Sequence, residues 1–168
     1  KVAAVVFDKT GTLTVGKPSV TDVLSYGKYD ADTVLMLAAS VEKGSEHPLA
    51  EAIEKEASAR SLKILNPSDF EAIAGKGVKA RIRRRKIVLG NRTLMAEMDV
   101  DVSTMEEKIR ELEYDGKTVM FLVANGALAG VIGVADTLKE HAREAIEELR
   151  KMNIEVIMLT GDNERTAK

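Results

Sequence analysis

The chain has 168 residues, of which 45% are apolar, 31% charged and 4% aromatic. It is therefore long enough to build the core of one ordinary domain or of two small ones. Lysine and arginine number 25 against 27 aspartate and glutamate, and the net charge of −2 predicts no general attraction to nucleic acid. The absence of cysteine excludes disulfides, thiolate metal sites and a cysteine nucleophile. No apolar run approaches the ~18 residues that cross a bilayer, and no signal peptide is visible.

The two ends of the chain each show a buried-type strand that is followed by a polar turn. Residues 1–7 (KVAAVVF) and 154–159 (IEVIML) are short apolar runs of the kind found in parallel sheets. The turn 8–14 (DKTGTLT) follows the first run, and the turn 160–162 (TGD) follows the second. Because ligands bind beyond the carboxyl ends of parallel strands, we expect the two turns to meet at one site.

The middle of the chain predicts a mixed α/β insert with antiparallel hairpins. Helical periodicity indicates a helix over 32–42 and a second over 46–60, capped by Ser45. Two capping boxes each predict the start of a further helix. One pairs Ser103 with Glu106, and the other pairs Thr137 with Glu140. Residues 21–29 are expected to be an irregular crossover. Strands are predicted over 70–74, 78–82, 87–89, 119–124 and 128–134, the last two joined by an Asn-Gly turn.

The heptad 8–14 carries the chemistry. Asp8, held rigidly after a buried strand, can attack phosphorus and form an aspartyl phosphate. Lys9 adds positive charge, and Gly11 allows a tight turn whose N–H groups face phosphate oxygens. Thr10 and Thr12 add hydroxyl donors. A surface turn with a helix-capping aspartate is the alternative, but the whole heptad after a valine-rich strand favours the nucleophile.

The heptad resembles the phosphorylation motif of P-type ATPases, which are ion pumps with a haloacid-dehalogenase-like phosphorylation domain. Residues 45–49 (SEHPL) resemble the His-Pro signature of the heavy-metal-transporting subclass. Residues 75–77 (GKG), together with 90–91 (GN), resemble the glycine motifs of that subclass's nucleotide-binding domain. Residues 160–163 (TGDN) resemble the second phosphate-binding motif, and 136–139 (DTLK) match the segment that leads back into the phosphorylation domain.

This resemblance implies the fold and its division. The expected fold is α/β, with an incomplete, Rossmann-like phosphorylation domain and an inserted α+β nucleotide-binding domain built on an antiparallel sheet. The phosphorylation domain is expected over residues 1–19 and 129–168. The nucleotide-binding domain is expected over 20–128.

The resemblance also implies ATP as the ligand and Mg²⁺ as the metal. His47 is expected to orient the adenine, and Glu42 to read its amino edge. The glycine motifs are expected to line the nucleotide slot, and their residues are Gly75, Gly77, Gly90 and Asn91. A lone glycine pair would otherwise indicate only a hairpin turn.

In the intact pump, the γ-phosphate of ATP is expected to pass to Asp8. The Thr160 hydroxyl and the Gly161 N–H are expected to bind the phosphate oxygens, with Asp162 near the nucleotide or the Asp8 loop. Mg²⁺ is expected to be held by the Asp8 carboxylate and the Thr10 carbonyl, since this cation prefers oxygen ligands.

Further expectations concern partners and cargo. The family's phosphate-pairing lysine and GDGxND motif are not in this chain, so we expect the chain alone to phosphorylate itself poorly. The implied partners are the rest of the phosphorylation domain, the actuator and the transmembrane domain, which places this part on the cytoplasmic side of a membrane pump. Copper(I) is preferred as cargo over zinc or cadmium, and the chain is expected to bind neither the transported metal nor nucleic acid.

Two rival interpretations remain open. One is a free-standing phosphatase of the same superfamily, although Thr10 stands where such phosphatases carry a general-acid aspartate. The other is a nucleotide-binding module without catalysis of its own. The basic run 81–86 is interpreted as the solvated tip of a β-hairpin.

Overall fold

The computed structural model describes residues 2–159, apart from the side chains of Lys9 and Thr10. It contains a small parallel sheet in which β1 (Ala4–Asp8) pairs with β8 (Glu155–Leu159). The register places Asp8 beside Leu159, so both strands end at the same edge. This pairing confirms the two parallel strands, but the prediction that they are buried is wrong, because every residue of β1 and β8 is exposed or only half-buried.

A second, antiparallel sheet forms the body of the molecule, with strand order β2-β7-β6-β5-β4-β3. Strands that are neighbours in this sheet also follow one another in the chain, except that the long β2 lies against β7. The strands are β2 (Thr14–Ser25), β3 (Ser68–Ile73), β4 (Gly77–Ile82), β5 (Arg85–Gly90), β6 (Thr118–Ala124) and β7 (Ala127–Leu138).

The expectation of an irregular crossover over 21–29 is wrong for residues 21–25, which belong to β2. A shift in the pairing register between Val20 and Asp22 interrupts the alternation that marks a strand. Val23 and Leu24 nevertheless pair with β7 and pack against the two cores. Because of this bulge, the alternation of apolar and polar residues does not predict the strand from the sequence.

Helices cover both faces of the antiparallel sheet. On one face, α1 and α2 pack on a core that includes Leu35, Ile53 and Leu122. On the other face, α3 and α4 pack on a core around Phe121. Because neighbouring strand residues point to opposite faces, Phe121 and Leu122 serve different cores. The helices are α1 (Ala31–Glu42), α2 (Pro48–Ala59), α3 (Arg92–Glu97), α4 (Glu106–Tyr114) and α5 (Ala142–Lys151).

The predicted cap at Ser45 is wrong, because the N-cap of α2 is His47. The His47 Nδ1 accepts the Leu49 N–H at 3.2 Å. Pro48 occupies the first helical position, where its missing N–H costs nothing and its fixed φ suits a helix. Helix α3, which the sequence analysis missed, is only six residues long.

Neither predicted capping box forms. Ser103 opens a short 3-10 turn, and its N–H donates to Asp101 Oδ1 at 2.9 Å. Thr137 remains in β7, which runs to Leu138, so α5 begins only after His141, a residue with φ of +70°. In both places the neighbouring strand or turn determines the helix start.

The predicted domain boundaries at 19/20 and 128/129 fall inside β2 and β7. These two strands pair with each other from Pro18 to Ser25 and from Gly130 to Asp136. The division into domains therefore stays a prediction. Over residues 2–159, no helix is long and apolar enough to span a bilayer.

Candidate functional site

One cavity of about 670 Å³ collects five of the predicted nucleotide-site residues. This volume lies in the range of small-molecule sites. Four parts of the fold form its walls: the α1–α2 connection, the β3–β4 turn, the β2–β7 pair and the start of β6. The predicted residues that line it are Glu42, His47, Gly75, Gly77 and Asn91. The structure thus brings them together, and their binding of nucleotide stays a prediction.

Glu42, in the last turn of α1, is the buried carboxyl group of the cavity. Its residue is only 4% exposed, and its Oε2 atom has no hydrogen-bond partner among the described residues. Burial raises the pKa of Glu42, the negative charge of Glu54 raises it further, and a hydrogen bond with the Ser45 side chain only partly opposes them. Ser45 lines the same wall.

His47 combines a place in the cavity wall with the N-cap of α2. Because Nδ1 accepts the Leu49 N–H, the proton of the imidazole lies on Nε2 and the ring is neutral in this arrangement. A neutral imidazole of this tautomer offers one N–H donor and an aromatic face. Both features suit a purine.

The β3–β4 turn forms the second wall, and its two glycines differ in what they require. A Cβ on Gly77 would overlap the Leu89 carbonyl oxygen and lie 2.5 Å from the Gly90 Cα, and its φ is +150°. Gly75 has a φ of +68°, but a Cβ there would meet no atom within 4 Å. Gly77 therefore allows two backbones to approach closely, whereas Gly75 serves the turn conformation.

Gly90 faces Gly77 across the β4–β5 pair and is not part of the cavity lining. A Cβ on Gly90 would lie 2.5 Å from Leu94 Cδ2 and 2.8 Å from the Lys76 carbonyl oxygen. The structure gives Gly90 a packing role, and its predicted contact with the ligand stays a prediction.

Asn91 braces the turn against α3. Its Nδ2 donates to the Gly75 carbonyl at 3.0 Å, while its Oδ1 accepts the Leu94 N–H at 3.1 Å as the N-cap of α3. Its backbone N–H donates to the Lys76 carbonyl at 2.8 Å. Asn91 thus positions the β3–β4 turn, and it also lines the cavity itself.

The third wall includes Gly16, Pro18 and Asp136 from the β2–β7 pair. The Asp136 carboxylate accepts the Thr14 hydroxyl at 2.5 Å and the backbone N–H groups of Gly16 at 3.0 Å and Lys17 at 3.1 Å. These bonds span the register shift between Thr14 and Pro18. Asp136 therefore holds the two paired strands together at the cavity edge.

Asp8 lies exposed at the end of β1, and the chain then forms a single π-helical turn over Lys9–Leu13. Lys139 holds this turn: its Nζ donates to the Gly11 carbonyl at 2.6 Å and its N–H to the Leu13 carbonyl at 2.9 Å. The predicted phosphate-binding residues Thr160, Gly161 and Asp162 lie outside the described residues, as do the side chains of Lys9 and Thr10.

The cavity and the Asp8 turn adjoin each other. Gly16 lines the cavity, and a Cβ on it would lie 3.5 Å from the Gly11 Cα. The sequence analysis placed 136–139 in a connecting segment and overlooked Asp136, Gly16 and Pro18 as wall residues. The motif at 136–139 was the available signal, but only the pairing of β2 with β7 brings it to the cavity.

The residues fit Mg²⁺ only together with a phosphorylated ligand. Asp8 provides an exposed carboxylate, but the described part of the chain contains no group of three or more His, Asp or Glu side chains that could hold a metal ion. Mg²⁺ is commonly bound through one or two carboxylates, with phosphates and waters completing its octahedron. The chemistry of Asp8 agrees with that arrangement.

Comparison with known proteins defines the class. A family profile of haloacid dehalogenase-like hydrolases matches residues 2–168, and the chain belongs to this family. The predicted fold class is confirmed, with its α/β content, its antiparallel sheet and its similarity to P-type ATPase catalytic domains.

The predicted resemblance to heavy-metal P-type ATPases is also confirmed. The chain is 47% identical over 163 residues to a copper-transporting P-type ATPase of Rhizobium leguminosarum bv. viciae, covering 97% of this chain and 19% of that protein. It matches the crystal structure of a zinc-transporting PIB-type ATPase in the E2.Pi state with TM-score 0.74 and 38% identity, covering 99% of this chain and 27% of that one.

A third match is the catalytic domain of the CPx-ATPase CopB-B, whose conformational changes upon nucleotide binding were determined. Its TM-score is 0.69 at 28% identity, covering 97% of this chain and 55% of that one. The present chain spans only about a fifth of the length of the copper-transporting relative from Rhizobium leguminosarum.

Proposed function

We propose that this chain is the ATP-binding and phosphoryl-accepting part of a heavy-metal P-type ATPase. The observation that carries the proposal is that one cavity joins Glu42 and His47 to Gly16 and Asp136. Gly16 in turn adjoins the turn that follows Asp8. A nucleotide whose base lies near Glu42 would thus extend its phosphates toward the Asp8 side.

The proposed reaction is phosphoryl transfer. An Asp8 carboxylate oxygen attacks the γ-phosphorus of ATP, the bond from that phosphorus to the β–γ bridging oxygen breaks, and ADP leaves. Mg²⁺, held by Asp8 and the Thr10 carbonyl, supplies charge neutralisation when bound. Lys139 holds the backbone of the turn that carries Asp8, through Gly11 and Leu13.

Copper(I) is the proposed cargo of the intact pump. The relative from Rhizobium leguminosarum is named a copper-transporting ATPase, whereas the matched crystal structure is that of a zinc-transporting one. In this proposal the transported ion binds elsewhere in the pump. The actuator, the transmembrane domain and the rest of the phosphorylation domain are the proposed partners, with this part on the cytoplasmic side.

Titration with a non-hydrolysable ATP analogue tests the nucleotide site. We expect His47→Ala and Glu42→Ala each to weaken binding by roughly tenfold or more, about 1.4 kcal/mol, because each removes a group that contacts the base. Glu46→Ala is the matched control, since Glu46 is an exposed neighbour of His47 outside the cavity lining, and it should bind like the parent chain.

An affinity for the analogue that neither substitution changes would contradict the proposed nucleotide site. A folded chain that binds no analogue would contradict it as well. Asp8 would then remain a nucleophile of the superfamily, and hydrolysis of an aryl phosphate would become the next assay. Loss of binding in Glu46→Ala as well would show that the substitutions act through folding and not through contact.

A further inference from the structure

Two basic side chains, that of the chain neighbour Lys43 and that of the cavity residue Lys76, are bonded to groups other than Glu42. On its own turn, Lys43 Nζ lies 2.5 Å from Asn66 Oδ1. In the cavity wall, Lys76 Nζ forms an ion pair with Glu97 at 2.7 Å. The Glu42 carboxyl is nearly fully buried, and burial of an uncompensated charge is costly.

The other groups around Glu42 are neutral or negative. Glu54, on α2, acts on it with a like charge. His47, on the α1–α2 connection, is neutral while its Nδ1 caps α2. Ser45 provides one hydrogen bond. The position in the last turn of α1 adds the negative end of the helix dipole. These surroundings raise the pKa of Glu42.

We infer that Glu42 recognises adenine as a neutral carboxylic acid, with one carboxyl oxygen donating a hydrogen bond to a ring nitrogen and the other accepting one from the 6-amino group. Glu42 lines the cavity, and its carboxyl group keeps one oxygen, Oε2, without a hydrogen-bond partner among the described residues. This inference rests on the proposed function, because it specifies how the proposed nucleotide site reads its base.

The protonation state decides which base edge fits. An ionised carboxylate has only acceptors, so one of its oxygens would face the N1 lone pair of adenine. It would instead match the N1–H and 2-amino donors of guanine. A carboxylic acid has one donor and one acceptor, which match N1 and the 6-amino group of adenine. A buried neutral acid therefore favours ATP over GTP.

Glutamine distinguishes the two states, because its amide also has one acceptor and one donor but carries no ionisable proton. We expect Glu42→Gln to bind a non-hydrolysable ATP analogue within about threefold of the parent chain at pH 6. Glu42→Ala should bind at least tenfold more weakly, about 1.4 kcal/mol. At pH 9 the parent chain should bind the analogue more weakly than Glu42→Gln does. Because both chains meet the same nucleotide, the comparison also corrects for titration of the nucleotide itself.

Calorimetric titration at both pH values gives these constants, and Glu46→Gln is the matched control on the exposed neighbour. Infrared difference spectra of the complex provide a separate readout, since a protonated carboxylic acid has a carbonyl band that Glu42→Gln lacks. We expect that band in the parent complex. Its absence, or an equal loss of binding in Glu42→Gln and Glu42→Ala, would overturn the inference.

The outcomes also separate this inference from the function on which it rests. A parent chain that binds the analogue while Glu42→Gln does not would keep the nucleotide site and reject the neutral acid. A folded parent chain that binds no analogue would reject both. Because ionisation of Glu42 is disfavoured in the fold, Glu42→Gln should also unfold at a higher temperature than the parent at pH 7. That gain should vanish below about pH 4.3, the ordinary pKa of glutamate.

Discussion

At the scale of single residues, Gly75 and Gly77 occupy one turn for different physical reasons. The neighbours of Gly77 are backbone atoms of β5, which cannot move aside as a flexible side chain can. Gly75 has open space where a side chain would begin, so only its left-handed φ resists substitution. The G-x-G pattern in the sequence does not distinguish these roles, since both residues are simply glycines.

We expect Gly77→Ala to destabilise the chain by about 3 kcal/mol, because its Cβ must displace paired backbone. Gly75→Ala, with φ strain alone, should cost about 1 kcal/mol. Urea denaturation of the two variants measures both free energies of unfolding. Equal losses at the two positions would show that the close approach of β4 to β5 is not the reason for the second glycine.

Sequence motifs predicted the position of some site residues but not of others. Glu42 and His47 were placed in one site by resemblance, and the structure puts both in the cavity wall. Asp136 was assigned only to a connecting segment, although its carboxylate accepts three hydrogen bonds from the first residues of β2. Its partners lie about 120 residues away in the chain, and local pattern carries no information on such contacts.

At the scale of secondary structure, the start of α2 joins folding to the cavity. His47 holds the first turn through Nδ1, so removal of the ring changes both the helix cap and the cavity wall. Any binding loss in His47→Ala therefore mixes two effects. Asparagine separates them, because it is among the best N-cap residues but has no imidazole.

We expect His47→Ala to lose about 1 kcal/mol of stability, whereas His47→Asn should restore that stability. Nucleotide binding should remain weak in both, since neither variant carries the ring. Thermal unfolding and analogue titration of the two variants check this. Recovery of binding in His47→Asn would mean that the imidazole acts only as a cap. Glu46→Ala, at an exposed position outside the cavity lining, is the control and should change neither stability nor binding.

At the scale of the whole molecule, the paired strands β2 and β7 connect the antiparallel sheet to the parallel β1–β8 pair. Asp136 bridges the register shift there, and Lys139 anchors the turn after Asp8. One side chain near the end of β7 and one just after it thus position the cavity edge and the turn that follows Asp8. A change in their bonds would alter how the cavity faces Asp8.

We expect Asp136→Ala to destabilise the chain by about 2 kcal/mol, because two backbone N–H groups and one hydroxyl lose a charged acceptor. Amide hydrogen exchange should accelerate at Gly16 and Lys17, while the amides of β4 and β5 keep their protection. Asp32→Ala, at an exposed ion pair with Arg60, is the control and should change neither. Unchanged exchange at Gly16 would contradict the role of Asp136.

The sequence by itself determined the terminal strands, the antiparallel hairpins and the family resemblance. These features depend on local composition, turn residues and short motifs, which neighbouring residues specify. Only the tertiary structure decided that β2 extends through residues 21–25, that His47 and not Ser45 caps α2, and that Asp136 and Gly16 line the cavity. The free energy of these features comes from pairing and burial between segments distant in the chain, and no short window of sequence contains both partners.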